Sequence, residues 1–231
     1  MSISRKHFVA TATLGASAAL AQTTTRAEAA SSPLHFHILK PGEYDHARML
    51  RTIQVNKRNK QVFQSVTPLT VAGIASLYLH MQNALNAFEF SYGMGRGSLA
   101  TLAVLTGKST AYSLNDAMWT KYGFGAAFDL AATNVYYPAA SLKENGDPDD
   151  PATAYQDPTA QAVLHRGGAF MVCHNALTVV AGLLGTKAGV KPEAALDDFM
   201  HNVLPGFQVV PAGVAATQLA LEHGWHNYPL I

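Results

Sequence analysis

A single cysteine, Cys173, occurs in 231 residues, so no disulfide can form within the chain. Charge is almost as scarce. Asp, Glu, Lys and Arg make up 13% of the residues and the formal net charge is +1, which gives no broad electropositive face for a phosphate backbone and excludes nucleic acid as an expected partner. After the first thirty residues no run is long and charge-free enough to span a bilayer. Neither a Gly-x-Ser-x-Gly elbow nor a paired-carboxylate signature is present, so hydrolase chemistry lacks a motif. Ten histidines occur, but His35-x-His37, His223-x-x-His226 and the pair Cys173-His174 have no second cysteine and no His-Glu-x-x-His beside them. Neither a metal nor a cofactor is expected. Apolar residues are plentiful, at 48%, and a chain of this length can bury a full core in one domain without a disulfide or metal staple.

The first thirty residues have the pattern of an export signal. Arg5 and Lys6 form a basic start, and Phe8 through Leu20 an Ala-rich apolar stretch too short to cross a membrane. Ser4-Arg5-Lys6-His7-Phe8-Val9 is similar to a twin-arginine signal in which Lys6 replaces the second arginine. Ala19-Leu20-Ala21 and Ala27-Glu28-Ala29 are two small-x-small cleavage patterns. The expectation is a periplasmic or otherwise exported protein. Residues 1–30 are read as signal, 31–59 as a lead segment, and 60–231 as the folded domain with an irregular excursion at 134–156.

Along the mature chain, strands and helices alternate. A short helix is predicted from Glu43 to Gln54, and Val62 to Val66 suits a first strand behind the basic run Lys57-Arg58-Asn59-Lys60, read as a solvated lead-in. Apolar residues from Ala72 to Phe88 recur at helical spacing, and Leu99–Leu105 is a buried-strand run. Gly93-x-Gly95-x-Gly97 precedes that strand, whereas a dinucleotide fingerprint follows one, so it does not predict a nucleotide site. Asn115 to Tyr122 reads as a helix ended by Gly123. Periodicity then disappears between Asn134 and Gln156, which predicts a surface excursion or lid outside the core. Asp157 reads as the N-cap and Pro158 as the first residue of a short helix. Ala169–Cys173 is a brief apolar strand running directly into a helix, Pro192 opens another, and Phe207–Val210, Gly213–Glu222 and Trp225–Ile231 read as strand, helix and edge strand. This alternation predicts an α/β fold with a mostly parallel sheet covered on both faces. Sites in such sheets collect beyond the carboxyl ends of the strands, where Cys173 stands.

Three stretches together resemble the DsrE-like family: Phe170-Met171-Val172-Cys173-His174-Asn175-Ala176-Leu177, an apolar strand ending in cysteine; Leu204 through Ala215, a strand entering a Pro-small-Gly turn; and Leu219 through Tyr228, a helix ending at glycine before an aromatic strand. The resemblance runs from about Lys60 to the C-terminus. It implies a flavodoxin-like three-layer sandwich of about five strands, assembled as a homotrimer or homohexamer. It also implies a cysteine at the position of Cys173 that accepts a persulfide sulfur from a donor protein or passes it to an acceptor. The chain departs from the sulfur-relay members in its export signal and its lack of a second cysteine.

The residues themselves leave two readings of Cys173 open. A thiol at a helix N-terminus has its anion favoured by the helix dipole and free backbone N–H groups, whereas a lone cysteine is also among the residues most often buried as a small hydrophobe. His174 and Asn175 are candidates to tune the sulfur. Asp116, Trp119 and Tyr122 are candidates to line the same cleft.

Overall fold

The computed structural model describes residues 35–230; the expected export signal lies outside them. Strands β1 (Asn59–Ser65), β4 (Leu99–Leu105), β5 (Ala169–Cys173), β6 (Phe207–Val210) and β7 (His226–Leu230) form one sheet in the order β6-β5-β4-β1-β7. Every pairing in it is parallel. The chain steps outward from β1 through β4 and β5 to β6, then returns across the sheet to place β7 on the free side of β1. The fold is a flavodoxin-like three-layer sandwich, and its sheet is wholly parallel.

Alternation along the strands divides the core in two. Phe63, Ala103, Phe170 and Phe207 are partners in register across four strands and face a layer built from α2 (Ser76–Asn86), α3 (Asp116–Tyr122), α4 (Phe124–Phe128), α5 (Ala160–His165), α6 (His174–Lys187) and α7 (Pro192–His201). Ala103 is the small member of that row, and Tyr78 from α2 packs edge-on to Phe170. The intervening residues Val62, Leu102, Val104, Met171 and Val210 face the other way, onto α1 (His46–Ile53) and α8 (Gly213–Glu222). Each large apolar side chain so buried contributes about 1.5–3 kcal/mol. Met49 and Ile53 of α1 are buried in this second core, so the lead segment supplies part of the domain's outer layer.

Local chemistry fixes the helix ends. The Asn115 side chain accepts the Met118 N–H, and Gly123, at φ 64°, turns the chain out of α3 in the left-handed region. The predicted N-cap at Asp157 is corrected: Thr159 caps α5, accepting from Ala162 N, while the Asp157 carboxylate is taken by the backbone N–H groups of Ala140 and Ser141. The long helix predicted from Ala72 begins only at Ser76, because β2 (Thr70–Val71) and β3 (Ile74–Ala75) form a small antiparallel hairpin before it. Its last turn widens into a π-turn over Ala87–Ser91. The excursion is irregular as expected, but Tyr136 enters the core. No helix among the described residues is long and apolar enough to cross a membrane.

Candidate functional site

The carboxyl ends of β4, β5 and β6 converge where the last residue of β5 becomes the N-cap of α6. Cys173 has extended backbone angles and its Sγ accepts the Ala176 N–H at 3.3 Å. One of the otherwise unpaired amides of the first helical turn is thus spent on sulfur. The side chain follows the alternation of β5 toward the α1/α8 layer, and it is 6% exposed. Opposite it lies the start of α8. A Cβ on Gly213 would fall 2.3 Å from Thr106 Cγ2 and 3.2 Å from Cys173 Cβ, so only glycine lets α8 come this close to β4 and β5. The Pro211-Ala212-Gly213 turn therefore sets the wall in front of the cysteine.

Around this wall the strand ends are closed by hydroxyl groups. Thr106 and Ser109 both donate to the Ser65 carbonyl, at 3.2 and 2.6 Å, and the Asn175 N–H reaches the Pro211 carbonyl at 3.4 Å. These bonds tie β1, β4 and β6 to the junction that carries the thiol.

His174 is 4% exposed, and its Nδ1 has no hydrogen-bond partner. Burial holds its pKa below the ordinary 6.5; nearby His37 lowers it further, while Asn175 and Glu43 pull it back up. His37 and Glu43 belong to the stretch before α1 and are paired at 3.0 Å; the Lys40 N–H also donates to Glu43 at 2.6 Å. The N-terminal stretch thereby brings its charges to the histidine beside the cysteine. No hydrogen bond joins the His174 ring to Cys173 Sγ among the described residues. His174 is thus a neutral neighbour rather than a base in contact with the thiol.

The remaining cleft candidates lie elsewhere. Trp119 is fully buried in the core on the opposite face of the sheet, its Nε1–H donating to the Ala111 carbonyl at 2.9 Å. Tyr122 is in the same core and its hydroxyl binds Asp198, which Lys121 also pairs at 2.6 Å, fastening α3 to α7. Asp116 accepts the Asn134 N–H at 2.7 Å and borders a pocket of about 380 Å³ with Asn115, Asn134, Tyr137, Pro138 and Leu204. The reason is the connection after β4. A 3₁₀ segment, Gly107–Ser113, intervenes before α3 and carries that helix onto the α6/α7 layer, away from the side that Cys173 faces. His174 and Asn175 are therefore the predicted residues that the fold keeps with the thiol. Among the described residues no group of three or more His, Cys, Asp or Glu side chains is arranged to hold a metal ion. Compared with models of known families, with curated proteins and with solved structures, the chain matches none.

Proposed function

We propose that this chain is an exported, DsrE-like sulfur-handling protein in which Cys173 carries sulfane sulfur as a persulfide, and that it works as a homotrimer or homohexamer. The observation that carries this reading is the N-cap position of the thiol. A sulfur that accepts a backbone N–H at a helix N-terminus is held where negative charge is favoured, and both the attacking thiolate and the persulfide product carry that charge. With thiosulfate as donor, the Cys173 thiolate attacks the outer sulfur, a new S–S bond forms, the bond to the sulfonate sulfur breaks, and sulfite leaves with the electron pair. Charge and electrons balance without a further oxidant. The export-signal pattern of residues 1–30 supports a reaction outside the cytoplasm, where the sulfur donor or acceptor protein would meet the chain.

A second reading is favoured by the 6% exposure of Cys173: an oligomeric interaction or ligand-binding module whose cysteine is a small packing residue. One experiment separates the two. The signal-free protein and Cys173→Ser are incubated with thiosulfate or polysulfide and their intact masses measured, alongside iodoacetamide alkylation of the folded and the urea-unfolded protein. Sulfur transfer predicts a gain of one sulfur atom in wild type alone, together with alkylation of the folded state. No gain, with alkylation only after unfolding, overturns the sulfur reading in favour of the packing one.

A further inference from the structure

At the amino ends of the strands, remote from Cys173, α1 lies over β4 and β5 and leaves a cleft of about 270 Å³ lined by Arg48, Arg51, Val55, Ala100, Ala169 and Trp225. We infer that this cleft is a binding site for a small oxyanion of the phosphate or phosphate-ester class. It does not depend on the sulfur reading.

From His46 to Phe88 the sequence contains no acidic residue and five cations: Arg48, Arg51, Lys57, Arg58 and Lys60. None of the five is in an ion pair among the described residues. Arg58 and Lys60 border neighbouring pockets, so the cleft itself carries two of these cations, Arg48 and Arg51. Two of the cations are aimed by the helix. Arg48 and Arg51 are three residues apart and so share one face of α1, and both are exposed at the cleft.

The support beneath them is fixed. Arg48 donates one guanidinium N–H to the Gly206 carbonyl at 3.0 Å, which fixes one edge of the fork and leaves its other N–H groups without a partner among the described residues. The Arg51 side chain makes no hydrogen bond and no ion pair with any described residue. The helix is pinned by Trp225, whose Nε1–H donates to the Ile53 carbonyl at 2.8 Å. That bond also matters electrostatically, because carbonyls at a helix C-terminus oppose an anion. The Ile53 oxygen is occupied by Trp225 and the Leu50 oxygen by Gln54 N. Below the arginines the floor is made of Ala100, Gly167 and Ala169, which keep it shallow and open, and Val55 and Trp225 form an apolar wall. Two planar forks presented from one helix face at the same cleft match a group with several anionic oxygens better than a single carboxylate. The apolar wall is suited to the carbon portion of an ester.

Inorganic pyrophosphate and phosphate are the probes, titrated at constant ionic strength into the signal-free protein and followed by calorimetry and by tryptophan fluorescence. Trp225 borders the cleft, whereas Trp119 is sealed in the opposite core and supplies a constant background. The expected result is saturable binding with a fluorescence change, weakened about tenfold by Arg51→Gln, a loss of about 1.4 kcal/mol, while the Lys57→Gln/Arg58→Gln double variant stays within about threefold of wild type. Because Arg51 has no partner in the fold, its replacement should leave the melting temperature of the free protein unchanged. Binding that fails to saturate, that survives Arg48→Gln/Arg51→Gln, or that falls equally in the Lys57/Arg58 variant would overturn the site and reduce it to diffuse surface charge. Pyrophosphate tests nothing about Cys173, so failure here leaves the persulfide experiment intact.

Discussion

His174 sits at the buried end of the sheet with an unpartnered ring nitrogen, and that arrangement has a thermodynamic sign. Burial, and then His37, lowers its pKa below 6.5, opposed by Asn175 and Glu43. Below pH 6.5 the unfolded chain takes up a proton that the folded chain refuses, so the unfolded state binds more protons and stability falls as the pH falls. The loss begins near the unfolded value and continues down to the folded pKa. Glu43 and Asp198, whose pKa values are lowered by their hydrogen-bond partners, act in the lower carboxylate range and leave the window just below pH 6.5 to the histidine. Melting temperatures measured at pH 7.5 and 5.5 should therefore fall more for wild type than for His174→Gln. Parallel profiles for the two proteins would show that the ring is solvated after all. The sequence placed His174 beside the thiol through simple adjacency; it could not show that the ring is buried or that it feels His37 and Glu43, which are distant from it in the chain.

At the scale of elements, the excursion is held by one buried cation. Arg166, with its side chain 2% exposed, donates to Gln82 Oε1 at 2.7 Å and Asn86 Oδ1 at 2.6 Å and pairs with Glu89 at 2.9 Å. The Tyr155 ring lies 5.0 Å from its guanidinium. Gln82 and Asn86 are one α-turn apart on α2, and their amide nitrogens reach the carbonyls of Ala154, Asp157 and Tyr155. The π-turn at Ala87–Ser91 supplies Glu89 to the same guanidinium. Removing the cation would leave a half-buried carboxylate, the buried Gln82 amide oxygen and the half-buried Asn86 amide oxygen unpaired, so Arg166→Ala should cost about 3 kcal/mol in urea unfolding. The excursion should become the first site of limited proteolysis, near Lys143 to Asp150. A cost under about 1 kcal/mol with unchanged cleavage would mean that the loop is held by its own turns. None of this was legible from sequence. The residues are up to 84 positions apart, and polar network partners carry no periodicity. The strands were legible, since Leu99–Leu105, Ala169–Cys173 and Phe207–Val210 are apolar runs between turn residues. Two-residue strands such as β2 and β3 are too short to show a period, and their apolar residues were absorbed into the helix that follows. Asp116, Trp119 and Tyr122 were correctly grouped on one helix, but the turn that aims that helix depends on the 3₁₀ segment after β4, which has no apolar pattern of its own.

For the molecule as a whole, the β2–β3 hairpin poses the remaining question of solubility. Val66, Leu69, Val71 and Ile74 are exposed by 37–60% within nine residues that contain no charge, at the carboxyl end of β1. Ala72 holds a left-handed φ of 52° at the tip, followed by Gly73 at 78°, so the turn keeps a shape that costs an alanine about 1–2 kcal/mol. An apolar, charge-free projection held in that shape is unlike the polar loop tips of most monomers. Its proposed cover is a second copy of the same chain, which would bury the hairpin in the homotrimer or homohexamer. A patch on one face that docks onto a different face of the next subunit closes into a ring when the rotation allows, as a trimer requires. Light scattering of the protein lacking residues 1–30 at micromolar concentration should give a mass of three or six chains, and Leu69→Asp/Val71→Asp should lower it to one chain while the circular dichroism of the α/β fold is retained. The two aspartates lie on exposed positions, so the monomer itself should lose little stability. A wild-type monomer would remove the assembly from the proposed function, and an oligomer indifferent to the aspartates would place its interface on another face.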